Sequence, residues 1–207
     1  MIQEKLQVHY ENSIAKSNIS QKNLPENTNI KNSNCNHNDN CDDDDKVKYL
    51  IEYVWDEKDP GLKAEIINFW MQEKALPNRK MAIDRLDEVI YIVRLKENGK
   101  VVAVMTTYKQ FNNLLSHYFY YLRCYVGSNY RRNSLCAQLV CTARDRLNDR
   151  FVSGEEHEAI GLITEYENKA LNQYRNEAIC GKTGLTFIGY NEHRQQVRVY
   201  YFDKAMI

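Results

Sequence analysis

The chain has 207 residues, which suits one domain of about 150 residues and an additional segment. It carries 28 basic and 28 acidic residues, so its composition offers no overall attraction for nucleic acid or an anionic membrane surface. Its apolar runs fall well short of the roughly 18 to 20 residues of a membrane-spanning helix, and residues 1–13 lack the apolar segment of a secretion signal. We therefore expect a cytoplasmic protein without nucleic acid or membrane partners.

The six cysteines include no CxxC pair, and in a cytosolic chain we expect reduced thiols. Cys35, His37 and Cys41 are metal-ligating residue types, but these three lack the fourth ligand that would close a site. We predict no metal centre.

Residues 1–46 are rich in Asn, Asp, Ser and Lys and poor in large apolar side chains. Such a segment cannot bury enough apolar surface to offset the entropy lost on ordering. The sequence therefore predicts a disordered N-terminal tail over 1–46, with at most a transient helix near its start, and a folded domain over 47–207.

The folded part begins with alternating side chains around residues 47–55, which predict a strand. Pro60 then opens a helix with apolar residues at three- and four-residue steps, and Pro77 ends it. A second short helix is predicted over 79–85. Residues 88–110 form two β-rich runs around an Asn-Gly turn, which is typical of a hairpin.

The stretch from His117 to Leu147 organises the rest of the prediction. Its first ten residues, HYFYYLRCYV, are typical of a strand, and LCAQLVCTARDRL has helical spacing. A short basic turn joins them, so the first N–H groups and positive end of the helix are available to an anion such as phosphate. An ordinary strand-to-helix turn with solvated arginines is the alternative.

The C-terminal part continues with a short apolar strand from Glu158 to Thr164. We predict that Asn168 caps a following helix that includes Tyr174 and Ile179 and is terminated by Gly181 and Gly184. LTFIGY and VRVYYFD then predict two final strands joined by a polar turn.

The basic turn resembles the acetyl-CoA-binding motif of the GCN5-related N-acetyltransferase (GNAT) superfamily: Arg or Gln, two residues, Gly, one residue, then Gly or Ala. Here the motif is residues 131–136, with Ser134 and Cys136 where Gly is usual. The order of predicted elements is also that of a GNAT domain. The resemblance implies an α/β (α+β) fold with a mixed, mostly antiparallel sheet of about six to seven strands flanked by helices, and a splayed fourth and fifth strand.

The resemblance also implies where acetyl-CoA binds as co-substrate. Backbone groups of the strand before the turn would hold the pantetheine arm, and N–H groups of the turn would hold the pyrophosphate. The Ser134 hydroxyl could instead cap the helix and compete for those N–H groups. Cys124 lacks a sequence-adjacent base to make it a nucleophile, so we favour core packing for its thiol. The cofactor-binding candidates are Cys124, Val126, Arg131, Arg132, Asn133, Ser134, Leu135, Cys136 and Asn168.

Two catalytic residues follow from the resemblance. Tyr174 matches the family's general acid, following an Asn and an Ala with a spacing one residue shorter than usual. The fourth strand carries no acid where many relatives have a Glu, so we prefer Glu165, just after the fifth strand, as general base. Glu167, His117 and a base acting through water remain open. An acceptor pocket would draw on Tyr108, Tyr118 and Tyr120.

The leading hypothesis is an N-acetyltransferase in which an amine, small molecule or peptide, attacks acetyl-CoA directly. The alternative is a GNAT-like domain that binds acyl-CoA without catalysis, as a sensor or interaction module. Binding of nucleic acid through Arg144, Arg146 and Arg150 is disfavoured because Asp145 and Asp149 interleave with them. The sequence leaves a homodimer open.

Overall fold

The computed structural model describes residues 48–56, 58–131, 134–168 and 174–207. Segment 1–46, for which the sequence predicts disorder, lies outside these residues, as do the metal-ligating residue types within it. Nearly all of the predicted folded domain is described.

A seven-stranded sheet in the order β1-β2-β3-β4-β5-β7-β6 forms the centre of the described structure. Neighbouring strands are antiparallel except β4 and β5, which run parallel. The predicted mixed, mostly antiparallel sheet is thereby confirmed. The strands are β1 (Tyr49–Tyr53), β2 (Val89–Leu95), β3 (Val101–Asn112), β4 (His117–Val126), β5 (Ala159–Glu165), β6 (Thr186–Tyr190) and β7 (Gln196–Tyr201).

Within the described residues, three α-helices flank the sheet: α1 (Pro60–Gln72), α2 (Arg79–Asp84) and α3 (Leu135–Ser153). The Asp59 side chain caps α1, and Pro60 begins it with a residue that needs no N–H partner. Gly154, at φ 85°, ends α3 in the left-handed conformation that glycine adopts without strain. Every helix in the described part of the chain is too short or too polar to span a lipid bilayer.

The helices cover opposite faces of the sheet. Leu139, Ala143 and Leu147 of α3 are fully buried in a cluster with side chains of β2 to β5. Ile66 and Trp70 of α1 are buried in a second cluster with β2 and β3. Each buried Leu or Ile stabilises the fold by about 1.5–3 kcal/mol, so this packing fixes the start of α3 beside the end of β4.

The helix predicted after β5 is wrong over its second half. Residues 169–173 lie outside the described structure, but residues 175–180 are not helical, and Ile179 forms a β-bridge with Thr186. The cause is Arg198 of β7, which is 1% exposed and donates to the carbonyl oxygens of Arg175 and Glu177 at 3.0 and 2.9 Å. The Arg198 side chain, more than twenty residues away, therefore binds carbonyl oxygens that would accept backbone N–H groups in a helix.

Candidate functional site

Strands β4 and β5 separate part-way along their length. Their pairing runs from Tyr118 with Ala159 to Leu122 with Thr164 and then stops. Beyond that point β4 continues against β3 alone, while Glu165 at the end of β5 pairs with Val197 of β7. The resulting opening, which we call the fork, confirms the predicted splayed strand pair.

Backbone groups of two residues point into the fork. The N–H of Gly127 bonds to the carbonyl oxygen of Val102 at 2.8 Å, so alternate residues of β4 bond to β3 from there back along the strand. The intervening residues, Cys124 and Val126, therefore direct their N–H and C=O groups toward β5, where the ladder has ended. These are the two residues for which the family resemblance predicts contacts with pantetheine.

A buried hydroxyl lies at the base of the fork. Thr164 belongs to the last β4–β5 pair, and its side-chain oxygen is buried without a hydrogen-bond partner among the described residues. Buried polar groups in folded proteins nearly always have a partner, which a bound molecule can supply.

Among the described residues, no side chain caps the backbone N–H groups at the start of α3. Ser134 precedes the helix, but its hydroxyl makes no capping bond and instead accepts from the side-chain amide of Gln138 at 2.9 Å. The competition considered from the sequence is therefore absent, and the N–H groups of Leu135 and Cys136 face the end of the turn at the positive end of the helix dipole. Arg132 and Asn133 lie outside the described residues.

Arg131 folds back onto the end of β4. Its Nε donates to the carbonyl oxygen of Val126 at 3.0 Å, and its Nη2 to the hydroxyl of Tyr125 at 2.7 Å. Its guanidinium carbon lies 5.1 Å from the centre of the Tyr125 ring. In this position Arg131 occupies one of the backbone acceptors that point into the fork.

Glu73, which follows α1, connects the end of that helix to the turn after β4. The sequence did not predict this contact. Its carbonyl oxygen accepts from the Tyr125 hydroxyl at 2.9 Å, and its Oε2 accepts from the N–H of Ser128 at 2.9 Å. An acid just beyond a helix C-terminus has no sequence pattern that would connect it with a turn more than fifty residues later.

A small cleft opens at the mouth of the fork on the face covered by α1. Tyr108 and Tyr121 stack within it, with ring centres 5.4 Å apart. Arg123 lies over Tyr108, with its guanidinium carbon 4.4 Å from the ring centre, and donates to the Tyr108 hydroxyl at 2.9 Å. Burial raises the pKa of Tyr108. The cleft is lined by Tyr108, Tyr121, Leu122, Arg123, Glu165 and Glu167.

The structure places Glu165, the preferred candidate base, in this cleft. Glu165 and Glu167 are exposed, and within the described part of the chain neither carboxylate has an ion-pair partner. Arg123, their cationic neighbour in the cleft, is 3.6 Å from Glu88 instead. The cleft therefore offers two carboxylates beside stacked aromatic rings. Elsewhere among the described residues, no three His, Cys, Asp or Glu side chains form a metal-binding group.

The other two tyrosines expected in an acceptor pocket lie elsewhere. Tyr120 is buried on the opposite face of the sheet, where its hydroxyl donates to Glu156. Tyr118 packs edge-to-face on Phe111 at the far end of β4. Tyr121 lines the cleft instead. Successive side chains of a strand alternate between the two faces of the sheet, and the sequence does not show which face carries the cleft.

The structure gives little information on Tyr174, the candidate general acid. Tyr174 is 81% exposed and follows directly on residues 169–173, which the structure does not describe. Its role, like that of Asn168, stays a prediction.

The acetyltransferase (GNAT) family model matches residues 47–177. The chain belongs to this family. This GNAT chain shares its fold with the ribosomal-protein-S5-alanine acetyltransferase from Vibrio fischeri at a TM-score of 0.53, with 11% identity, over 77% of this chain and 96% of that one. The AtaTR structure bound with AcCoA gives a TM-score of 0.50 and 13% identity, over 75% and 94% of the two chains. No curated protein sequence matches the GNAT chain.

Proposed function

We propose that this GNAT protein transfers an acetyl group from acetyl-CoA to an amine by direct attack. The observation that carries the proposal is the fork, where the backbone groups of Cys124 and Val126 have lost β5 as a partner. An extended amide-containing chain such as pantetheine can replace the missing strand. The shared fold with a protein crystallised with AcCoA supports the same co-substrate.

The pyrophosphate would bind at the start of α3. The N–H groups of Leu135 and Cys136 supply donors there, and Ser134 leaves them uncapped. Arg131 would turn from the Val126 carbonyl oxygen toward the phosphates, which frees that oxygen for pantetheine. Arg132 and Asn133 are further proposed contacts of the pyrophosphate. The Thr164 hydroxyl at the base of the fork would gain a hydrogen-bond partner.

Catalysis then needs two proton transfers. The acceptor ammonium first loses one proton to solvent, and Glu165 accepts a second proton, directly or through water, as the nitrogen attacks the thioester carbonyl carbon. The tetrahedral intermediate collapses, the carbon–sulfur bond breaks, and Tyr174 donates a proton to the leaving thiolate. Both transfers occur around the fork, with Glu165 in the cleft lined by Tyr108 and Tyr121.

The cleft favours an acceptor that arrives as a cation. The exposed carboxylates of Glu165 and Glu167, which have no ion-pair partner within the described part of the chain, attract an ammonium group. A small polyamine or a peptide with a free amino group has this chemistry.

Calorimetry with acetyl-CoA tests the proposal. We expect saturable binding that is lost or strongly weakened when Arg131 and Ser134 are both replaced by Glu, because two carboxylates would then repel the phosphates. A matched control is the pair Arg194→Glu and Ser153→Glu, far along the chain from the turn. The proposal would be refuted by the absence of binding at millimolar acetyl-CoA. Unchanged binding in the variant with Glu at positions 131 and 134 would also refute it.

A second candidate is an acyl-CoA-binding module without catalysis. It is favoured by the exposure of Tyr174, the proposed acid. Release of free CoA in the presence of polyamines and amino-terminal peptides separates the two functions, since a binding module binds acetyl-CoA but releases no CoA above the uncatalysed rate.

A further inference from the structure

The two sides of the cleft carry opposite charges. Arg123 belongs to β4, whereas Glu165 ends β5 and Glu167 follows it, and all three residues line the cleft. Leu122 and Thr164 form the last pair between the two strands, so Arg123 and Glu165 are the first residues on either side of the opening. A molecule in the cleft therefore meets a positive group on one side and negative groups on the other.

Contacts with neighbouring residues hold Arg123 in place. Its guanidinium carbon lies 4.4 Å from the centre of the Tyr108 ring, and its Nη2 donates to the Tyr108 hydroxyl at 2.9 Å. Its Nη1 is 3.6 Å from Oε2 of Glu88, which is too long for a hydrogen bond. A guanidinium has five N–H donors, and the hydrogen bonds within the described residues use one of them. Since the side chain is 39% exposed, donors remain for an oxygen atom in the cleft.

A buried hydroxyl lies beside Arg123. Thr106 of β3 is paired with Arg123, so the two side chains project from the same face of the sheet, with their Cβ atoms about 4.5–5.5 Å apart. Thr106 is 3% exposed, and its hydroxyl has no hydrogen-bond partner among the described residues. Buried hydroxyls nearly always have such a partner, and a bound molecule can supply one. The two neighbouring side chains thus offer N–H and O–H donors to one oxygen atom.

We propose that the acceptor is an α-amino carbonyl compound, either a free amino acid or the amino-terminal residue of a peptide. Arg123 and Thr106 bind its carboxylate or carbonyl oxygen, and its amino group lies at Glu165. This point rests on the proposed acetyl transfer and deepens it. Only two carbon atoms separate the nitrogen from the oxygen in such a compound, which suits a narrow cleft with opposite charges on its two sides. A polyamine carries further cations instead of the oxygen, and Arg123 repels them.

The first test measures CoA release by the full chain with a panel of acceptors. The panel contains the standard amino acids, peptides with each standard amino-terminal residue, spermidine, and isopropylamine, which is alanine without its carboxylate. We expect the best α-amino carbonyl acceptor to have a kcat/KM at least about 10-fold above those of spermidine and isopropylamine, because these two lack the oxygen that Arg123 binds. Comparison of the amino acids with the peptides identifies the source of the amino group.

The second test changes the two donors. Arg123→Gln should raise the KM of the best α-amino carbonyl acceptor by about 10- to 100-fold, the effect of losing a hydrogen bond from a charged group. Its KM for spermidine should stay the same or fall, and its affinity for acetyl-CoA should not change. Thr106→Val should raise the KM of the same acceptor by about 3- to 10-fold. The urea midpoint of this variant should not fall, because the hydroxyl has no partner to lose among the described residues.

The chain offers a matched control for each variant. Arg85 is 3.8 Å from the same Oε2 of Glu88 but does not line the cleft, so Arg85→Gln should leave the acceptor KM unchanged. Thr107 is 1% exposed and its hydroxyl also lacks a partner among the described residues, but its side chain projects from the opposite face of the sheet. Thr107→Val should therefore also leave the acceptor KM unchanged.

Spermidine or isopropylamine used as well as the best α-amino carbonyl acceptor would overturn this inference and leave acetyl transfer standing. An equal rise of KM for every amine in Arg123→Gln would also overturn it, since that result indicates a structural role. If no acceptor in the panel releases CoA, the proposed function fails. Calorimetry with the amino acids and peptides then decides the cleft separately, because absence of binding, or binding unchanged in Arg123→Gln, would rule out the acceptor site as well.

Discussion

The two halves of β4 share one strand and have opposite surroundings. From Tyr118 to Leu122 the strand is paired on both edges, and the buried Tyr120 hydroxyl donates to Glu156. From Arg123 to Val126 one edge has no strand partner, and Arg131 occupies part of it. The closed half, paired on both edges, therefore holds the open half in position. Changes in the closed half should therefore alter stability, and changes in the open half should alter function.

The largest effect is expected at the mouth of the fork. Glu165→Gln removes the proposed base while keeping the size of the side chain, so kcat should fall by about 10²- to 10⁴-fold. Acetyl-CoA affinity and the urea midpoint should stay unchanged, because Glu165 is exposed. Steady-state kinetics with an amine acceptor measure this, with Glu192→Gln on an exposed turn as control. A kcat within twofold of the parent would remove Glu165 from the mechanism.

The closed half should respond to loss of Glu156. Its Oε1 accepts from the N–H groups of His157, Glu158 and Ala159 at 3.1, 2.8 and 3.2 Å, and the side chain also binds Tyr120. Glu156→Ala leaves these donors without their acceptor and should lower the free energy of unfolding by about 3 kcal/mol. Urea denaturation measures it.

The neighbouring Glu155→Ala is the control, because that carboxylate is exposed and lies 3.5 Å from Arg150. An exposed pair of this kind contributes about 0–1 kcal/mol. Equal losses in the two variants would contradict the distinction between a buried and an exposed carboxylate.

The stability of the fold at low pH should also depend on Glu156. Burial opposes ionisation of Glu156, but hydrogen bonds from Tyr120 and the backbone of Glu158 and Ala159 outweigh it and lower its pKa from 4.5 to about 2. Because the pKa of Glu156 is lower in the folded chain than in the unfolded chain, its ionisation stabilises the fold at pH values above the unfolded pKa. This stabilisation, about 3 kcal/mol, is lost as the pH falls from about 5 to 2. Glu156→Gln should show a correspondingly flatter loss of stability over this range, and parallel curves would refute the assignment.

The smallest effect is expected in the open half. Tyr125→Phe removes a hydroxyl that donates to the Glu73 carbonyl oxygen and accepts from Arg131. We expect a loss of about 1 kcal/mol in unfolding free energy. Tyr190→Phe, at an exposed position, serves as control. A loss as large as that of Glu156→Ala would show that the two halves do not differ in their contribution to stability.

Sequence patterns predicted the parts of the fold that depend on nearby residues. The hairpin of β2 and β3 follows from alternating side chains and an Asn-Gly turn, and Gly99 indeed adopts φ 72° there. The fork was predicted only through the family resemblance, because a missing strand partner leaves no mark in local periodicity.

The parts that sequence patterns did not predict depend on distant partners. The carbonyl oxygens of Arg175 and Glu177 bind Arg198, more than twenty residues away, so local helical spacing was misleading. In the cleft, Tyr121 rather than Tyr120 faces Glu165, and only the packed sheet decides between neighbouring residues of a strand.

The buried guanidinium of Arg198 also sets an order of assembly. Arg198 of β7 holds segment 175–177 in place. A nascent chain therefore cannot fix this segment before β7 has left the ribosome. Strands β1 to β4 can pair earlier, since each is adjacent to the next in both sequence and sheet. The edge of the cleft that carries Glu165 therefore cannot reach its final position before β7 has been made and has paired with β5.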